Sequence, residues 1–202
     1  MQRVARFEDI QPGDVGWLRG EGFTSDAIAH MTARLDLMGY ATPSHSVLVL
    51  SRTQVIESLS RTVVRPLSVY RTRFQSGDFV VFRPAVPVEI RRLAMDEIYR
   101  QYNGAMYGWG QILAFIPVMF WRRLTGRNAV NLLPLGTICS ELVLLYLQRC
   151  HEMLIAAGPG GRRLASLLDW TGDLRKDSTD PALLLACALR DGLPPTLDGS
   201  RA

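Results

Sequence analysis

The chain has 202 residues, of which 48% are hydrophobic, and a formal net charge of +4 at pH 7. A chain of this size and apolar content fits one domain, residues 1–202, with a core that needs neither disulfides nor metal. The charge rests on scattered arginines, because Lys176 is the only lysine. The composition therefore predicts no nucleic-acid partner and suits an acidic partner such as a cell-wall polymer or an anionic lipid.

The cysteines and the apolar runs indicate in which compartment the chain is made and whether a segment of it can span a membrane. The chain has three cysteines, Cys139, Cys150 and Cys187. An odd number of cysteines without the spacing of a disulfide framework predicts reduced thiols. Residues 1–9 contain no apolar stretch resembling a signal peptide, so we expect a polypeptide made in the cytosol. The longest apolar run, residues 112–121, is too short to span a bilayer. It is predicted to be a core segment or lid, with an interfacial or partner-docking role as the alternative.

The first elements in chain order are a turn, a strand and a helix. The Gln-Pro-Gly-Asp string at residues 11–14 predicts a turn, and residues 15–18 predict a short strand that leaves it. A helix capped by Thr24 or Ser25 is expected to end near Gly39.

A β-hairpin follows, formed by residues 46–50 and 54–59 with residues 51–53 as its loop. Three further elements are expected: strands at 63–67 and 78–83, and a helix over 88–102. The first half of the chain is thus predicted to be a small, mostly antiparallel sheet with helices around it.

The second half is predicted to be helical. Apolar residues recur at three- and four-residue steps from Cys139 to Met153, which indicates an amphipathic helix with Cys139 in its first turn, on the inward face. The Gly-Pro-Gly-Gly string at 158–161 is expected to break the chain. A closing segment with a helix over 182–189 and a frayed tail at about 192–202 follows. The predicted fold class is α+β, a small sheet packed against the Cys139 helix and accessory helices.

Cys139 is the candidate nucleophile. In the first turn of a helix, the free N–H groups and the positive end of the helix dipole favour the thiolate, which is the reactive form. The same N–H groups can bind the oxyanion formed when a carbonyl is attacked. The alternative is an inert core cysteine, since many cysteines on apolar helix faces are only packed.

His45 and Glu57 are the candidate partners of Cys139. His45 opens a strand with Val47 on its own face, where the sheet would fix it as a general base for a thiol brought against that face. With a three-residue loop, Val47 faces Glu57, and Glu57 becomes the diagonal neighbour of His45 and can orient its imidazole. The alternatives are a strand-end histidine satisfied by the backbone and a two-residue loop, which would turn Glu57 away.

Several strings together resemble the permuted papain-like amidases, a branch of the NlpC-type cell-wall hydrolases. The strings are, in chain order, Pro12-Gly-Asp14, Ser44-His-Ser-Val-Leu-Val-Leu50, Val55-Ile-Glu57, Tyr107 and Ile138-Cys-Ser-Glu-Leu-Val143. The resemblance spans roughly residues 11–145. It implies a circularly permuted papain-like fold in which the sheet precedes the nucleophile helix.

The resemblance also implies roles for individual residues. Cys139 would be the nucleophile, His45 the base and Glu57 the orienting residue, while Tyr107 and Ser140 would contact the substrate. The family often has aspartate after the tyrosine, whereas Gly108 follows here. Residues 111–131 resemble an insertion ahead of the nucleophile helix that could reshape the substrate groove.

Three functions remain open from the sequence. The first is hydrolysis of amide bonds in peptidoglycan stem peptides through a thioester, by a phage particle component or a delivered lytic protein. The second is an acyl-lipid hydrolase or acyltransferase that uses the same Cys–His pair and seats an acyl chain on residues 112–121. The third is a structural subunit that keeps the fold without the chemistry.

No cofactor is expected. The histidines and cysteines never fall at the close spacing of a zinc site. The string at 158–161 lacks the lysine and the preceding strand of a phosphate-binding loop. Glu141 is expected to stabilise the helix dipole, and Asp14 to form a turn.

Overall fold

The computed structural model describes residues 1–20, 26, 37, 39–58, 61–105, 121, 124–125, 139–172, 174 and 181–189. These residues form an α+β structure with one antiparallel sheet and several helices, which confirms the predicted fold class at this coarser level. The strands are β1 (Gln2–Arg3), β2 (Val15–Leu18), β3 (His45–Val49), β4 (Gln54–Ser58), β5 (Thr62–Pro66) and β6 (Phe79–Arg83).

The helices surround this sheet. The α-helices with described bounds are α1 (Arg71–Ser76), α2 (Val88–Tyr102), α3 (Cys139–Ala156), α4 (Pro159–Ala165) and α5 (Pro181–Leu189). Short 3-10 helices cover Phe7–Asp9, Leu67–Tyr70 and Ser166–Thr171. The helix predicted over 88–102 is confirmed at both ends. Most of the helix predicted between Thr24 and Gly39, the site residue Tyr107 and most of the segment 111–131 lie outside the described residues.

The sheet has the order β1-β6-β2-β3-β4-β5, and every neighbouring pair is antiparallel. The predicted hairpin is confirmed, with Val47 opposite Glu57 and the N–H of Leu50 bonded to the carbonyl of Gln54. The loop is therefore three residues long, and Glu57 keeps the face that the prediction requires.

Side-chain alternation divides the sheet into two differently covered faces. One face carries Trp17, Leu48 and Ile56, and it forms one large core with α2, α3 and α5. The other face carries Val47 and Val55 and packs on the 3-10 helix Leu67–Tyr70 in a smaller core. By alternation, His45 and Glu57 belong to the face of the smaller core.

α3 is the central helix of the larger core. It packs against β3, α2, α4 and α5, and Leu142, Leu144 and Leu147 on it are fully buried. The hydroxyl of Tyr146 donates a hydrogen bond of 2.8 Å to the carbonyl of Gly13, in the turn before β2. This contact fixes the position of the helix along the sheet, and with it the position of Cys139.

A buried carboxylate ties three elements together near this turn. Asp14 accepts the backbone N–H of Gln11, which is the turn interaction expected from the sequence. Its two oxygens also accept Nε and Nη2 of Arg83 on β6 at 2.8 Å each and Nη1 of Arg91 on α2 at 3.0 Å. The side chain is fully buried, so its charge is balanced by the two guanidinium groups rather than by water.

The Gly-Pro-Gly-Gly string at residues 158–161 interrupts the helical structure over fewer residues than predicted. Gly158 ends α3 with a positive φ of 90°, but Pro159 then opens α4 at its first position. Proline suits the first turn of a helix because its φ is already helical and its missing N–H has no helical partner there. Gly161 lies against the carbonyl of Leu154, at a distance that leaves no room for a Cβ.

Within the described residues, no helix combines the length and the apolar character that crossing a membrane requires.

Candidate active site

His45 and Glu57 form a buried pair at one end of the β3–β4 hairpin. Nε2 of His45 lies 2.5 Å from Oε2 of Glu57, and the two side chains are 10% and 1% exposed. The pairing of Val47 with Glu57 makes the two residues diagonal neighbours on one face. The predicted geometry of this pair is confirmed, whereas the catalytic roles stay predictions.

Cys139 contributes the third group from the first turn of α3. Its thiol and the His45 side chain lie within interaction range, and each shifts the pKa of the other through charge and hydrogen bonding. Because Nε2 of His45 faces Glu57, the nitrogen left for the sulfur is Nδ1. The structure thus brings the three residues into the order thiol, imidazole, carboxylate.

The direction of approach differs from the prediction. The sequence predicts a thiol brought against the face of β3 that carries His45. The body of α3 instead packs on the opposite face, with Leu48 and Ile56. Cys139 and His45 can meet because His45 is the first residue of β3, so its side chain is reachable around the end of the strand.

Electrostatics favour an ion pair between the thiol and the imidazole. Burial raises the pKa of Cys139, but the charge of His45 and hydrogen bonds from His45 and Ser46 outweigh it and lower the pKa overall. Burial likewise lowers the pKa of His45, but Cys139 and Glu57 together raise it to about 10. The thiolate–imidazolium form is therefore the favoured one between these two pKa values.

Ser46 is a contact that the sequence did not predict. Its backbone N–H and its hydroxyl both lower the pKa of the Cys139 thiol. Within the described residues, this buried hydroxyl has no hydrogen-bond partner of regular geometry. Alternation places Ser46 opposite to His45, on the α3 side of the sheet, and knowledge of that packing face would have predicted the contact.

Tyr70 and Arg65 support Glu57 from the other side. The Tyr70 hydroxyl donates a hydrogen bond of 2.7 Å to Oε2 of Glu57, and Nη1 of Arg65 lies 3.3 Å from Oε1. Burial raises the pKa of Glu57, but the contacts with His45, Tyr70 and Arg65 lower it overall. The antiparallel register of β4 and β5 would have placed Arg65 on this face, whereas no feature of the sequence indicated Tyr70.

The remaining predicted site residues, Ser140 and Tyr107, are respectively buried and outside the described residues. Ser140 and Glu141 follow Cys139 in the first turn of α3, and both are buried. Burial raises the pKa of Tyr102 on α2, and the charge of Glu141 raises it further. The substrate role of Ser140 stays a prediction. Tyr107 lies outside the described residues.

The other histidine and cysteines that the structure describes lie away from this constellation. His151 Nε2 lies 2.9 Å from Oδ1 of Asp169, in a pair at the surface. Cys150 and Cys187 are buried, and burial raises the pKa of Cys150 to about 12. Among the described residues, no group of three or more His, Cys, Asp or Glu side chains could hold a metal ion.

An open depression of about 260 Å³ lies elsewhere on the surface, lined by residues that include Arg3, Asp9 and Arg83. It includes neither His45 nor Cys139, so the chemistry of the site does not involve it.

The geometry defines a class of site: a thiol at a helix start, paired with an imidazole that a buried carboxylate orients. Proteins of this class use the thiolate as a nucleophile and the imidazole as a proton carrier. Comparisons with protein-family models, with curated protein sequences and with solved structures find no match to this chain.

Proposed function

We propose that this protein is a cysteine hydrolase that cleaves amide bonds through a thioester, with Cys139 as nucleophile and His45 as acid and base. The observation that carries the proposal is the contact of Cys139 with one nitrogen of His45 while Glu57 holds the other. A packed core cysteine does not need a buried histidine and carboxylate in line with it.

The proposed reaction begins with attack of the Cys139 thiolate on the carbonyl carbon of the amide. The π electrons of the carbonyl move onto its oxygen, and N–H groups of the first turn of α3 stabilise the oxyanion. When the carbon–oxygen double bond re-forms, the carbon–nitrogen bond breaks, and the leaving amine takes the proton from His45.

Water completes the cycle. His45, now neutral, removes a proton from a water molecule as the oxygen attacks the thioester carbon. The second tetrahedral intermediate collapses with loss of the thiolate, which releases the carboxylic acid and restores the thiolate–imidazolium pair. Glu57 keeps the imidazole in one orientation in both halves of the cycle.

The substrate class comes from the resemblance to the permuted papain-like amidases. That family implies amide bonds of peptidoglycan stem peptides as the target. The proposal therefore names these peptides as the first substrate to test.

Acyl-lipid hydrolysis or acyl transfer with the same residues is the second candidate. Trp121, the last residue of the apolar run 112–121, and Leu124, three positions after it, are both helical and are 52% and 67% exposed. Exposed large apolar side chains at helical spacing favour contact with an acyl chain or a lipid surface.

Mass spectrometry of digested peptidoglycan tests the proposal. The wild type and Cys187→Ala, a control that changes another buried cysteine, are expected to release new stem-peptide ends. Cys139→Ser is expected to release none, because the hydroxyl replaces the ionised thiol.

Ends that persist in Cys139→Ser would refute Cys139 as the nucleophile. If no protein releases ends from several wall types, stem-peptide hydrolysis is refuted. Cleavage of long-chain esters or thioesters by the wild type alone would then establish the lipid alternative, and its absence would favour a structural role.

A further inference from the structure

One oxygen of Glu57 is shared by two donors. Oε2 lies 2.5 Å from Nε2 of His45 and 2.7 Å from the hydroxyl of Tyr70. A phenol has one proton to donate, and a carboxylate oxygen has two lone pairs to accept with. Oε2 of Glu57 can therefore accept a hydrogen bond from both donors, as long as this oxygen carries no proton.

The short His45–Glu57 contact creates a competition for one proton. The proton can reside on the imidazole, which gives an imidazolium beside a carboxylate, or on the carboxyl, which leaves the imidazole neutral. Burial of Glu57 favours the second form, because a carboxylate loses hydration when it is enclosed. Only the first form provides the positive charge that stabilises the Cys139 thiolate.

The position of Tyr70 is fixed by packing on the smaller core. Its ring is buried and lies 4.9 Å from the ring of Phe79, centroid to centroid, with an interplanar angle of 33°. Phe79 in turn lies over Gly16, where a Cβ would collide with the Phe79 ring. The hydroxyl is therefore held at Glu57 by neighbours that do not take part in the chemistry.

The Tyr70 hydroxyl also remains a donor. Burial and the adjacent Glu57 carboxylate raise the pKa of Tyr70 far above its usual value, so the phenol keeps its proton throughout the working pH range. The charged and titratable groups that face this pair are His45 on β3, Arg65 on β5 and Arg73 on α1.

We propose that Tyr70 is a positioning residue that keeps the shared proton on His45, and thereby the thiol of Cys139 ionised, by donating its own hydrogen bond to Oε2 of Glu57. This inference deepens the proposed function and rests on the same site. Without the hydroxyl, Oε2 has one donor fewer, the proton moves toward Glu57, and the imidazole loses charge. Tyr70 acts through Glu57 and His45 and does not touch the reacting atoms.

A thiolate titration tests this role without any substrate. The ultraviolet absorbance of the Cys139 thiolate is followed against pH in the wild type, in Tyr70→Phe and in Tyr99→Phe, each minus the same protein with Cys139→Ser. Tyr99 lies on α2 with its hydroxyl bonded to Asn103, so Tyr99→Phe controls for the loss of one tyrosine hydroxyl. Phenylalanine keeps the ring on Phe79, so Tyr70→Phe retains the packing.

The midpoint of thiolate formation is expected to rise by roughly one pH unit in Tyr70→Phe, which is about tenfold less thiolate below the midpoint. In Tyr99→Phe the midpoint is expected to match the wild type. An unchanged or lowered midpoint in Tyr70→Phe would overturn the proposal. A wild-type midpoint in the ordinary pH range of cysteine thiols would overturn it as well.

The two proposals fail separately. A lowered wild-type midpoint that rises in Tyr70→Phe, in a protein that cleaves no stem peptide, would sustain the role of Tyr70 and refute the substrate. If cleavage occurs, kcat is expected to fall about tenfold in Tyr70→Phe with KM unchanged, because the substrate meets the same surface.

Discussion

At the scale of single residues, the site depends on where His45 stands in its strand. It is the first residue of β3, paired with Leu18 across β2 and diagonal to Glu57 across β4. One ring nitrogen contacts Glu57 on the side of the smaller core, and the other contacts Cys139 around the strand end. The side chain of a histidine further along β3 would reach one face of the sheet only, and it could not contact both Glu57 and Cys139.

Replacing His45 by alanine is expected to shift the reactivity of Cys139 to higher pH. In the wild type the lowered pKa of Cys139 makes the thiolate available below the ordinary thiol range, and it is lost as pH falls through that lowered pKa. Without the imidazolium, burial is left to raise the pKa. Alkylation by iodoacetamide at pH 6, located by peptide mass spectrometry, is expected to slow by at least about tenfold.

His151→Ala is the matched control, because His151 pairs with Asp169 away from the thiol. Its alkylation rate at Cys139 is expected to equal that of the wild type. Equal rates in His45→Ala and the wild type would show that the imidazole does not ionise the thiol.

The three central residues of the site could be predicted from the sequence because each follows a local rule. Cys139 lies at the start of an amphipathic helix, and His45 and Glu57 follow from the alternation and loop length of one hairpin. Tyr70 could not be predicted, because its contact depends on how a 3-10 helix folds back over the sheet. Ser46 could not be assigned either, since the packing face of α3 was predicted wrongly.

At the scale of elements, Asp14 links the turn before β2 to β6 and α2. The sequence predicts its role in the turn, because aspartate commonly accepts a nearby backbone N–H there. Its contacts with Arg83 and Arg91 join residues far apart in the chain and could not be predicted from local pattern. The turn also presents the Gly13 carbonyl to Tyr146 on α3, so it orients the helix that carries Cys139 as well.

Asp14→Asn is expected to destabilise the protein by about 3–5 kcal/mol, because it leaves the buried guanidinium of Arg91 without a balancing charge. Chemical denaturation, followed by circular dichroism, measures the free energy of unfolding. Asp9→Asn is the control, since Asp9 pairs with Arg6 at the surface, and no measurable change is expected there. Equal midpoints for the two variants would contradict the structural role given to Asp14.

Helix and strand limits were predicted well where periodicity and flanking turn formers agree, as for α2 and the hairpin. They were predicted less well at residues 158–161, where proline and three glycines suggested a break. The same string both ends α3 and starts α4, because Pro159 takes the first helical position of α4. β1 was not predicted, since a two-residue strand has no period to recognise.

At the scale of the whole molecule, stability resides in the larger core on the α3 side of the sheet. α5 is buried at eight of its nine positions and packs on α3. A helix that is apolar on all sides is stable only when it is enclosed. The closing segment therefore belongs to the core that holds α3 and Cys139.

Leu184→Ala is expected to lower the free energy of unfolding by about 2–5 kcal/mol, because Leu184 is fully buried and its truncation leaves a cavity. Leu93→Ala on the exposed face of α2 is the control and is expected to change stability little. Denaturant titration of both variants gives the comparison. A tolerated Leu184→Ala would mean that α5 does not complete the core.

The meeting of α3 with the end of β3 has a consequence for biosynthesis. The ribosome delivers the strands of the sheet, with His45 and Glu57, before it delivers Cys139. Until α3 docks, Cys139 has neither His45 nor Ser46 beside it, so a nascent chain carries only an ordinary, protonated thiol. We therefore expect Cys139 to gain its lowered pKa only when α3 docks, so that labelling of Cys139 at mildly acidic pH reports this docking.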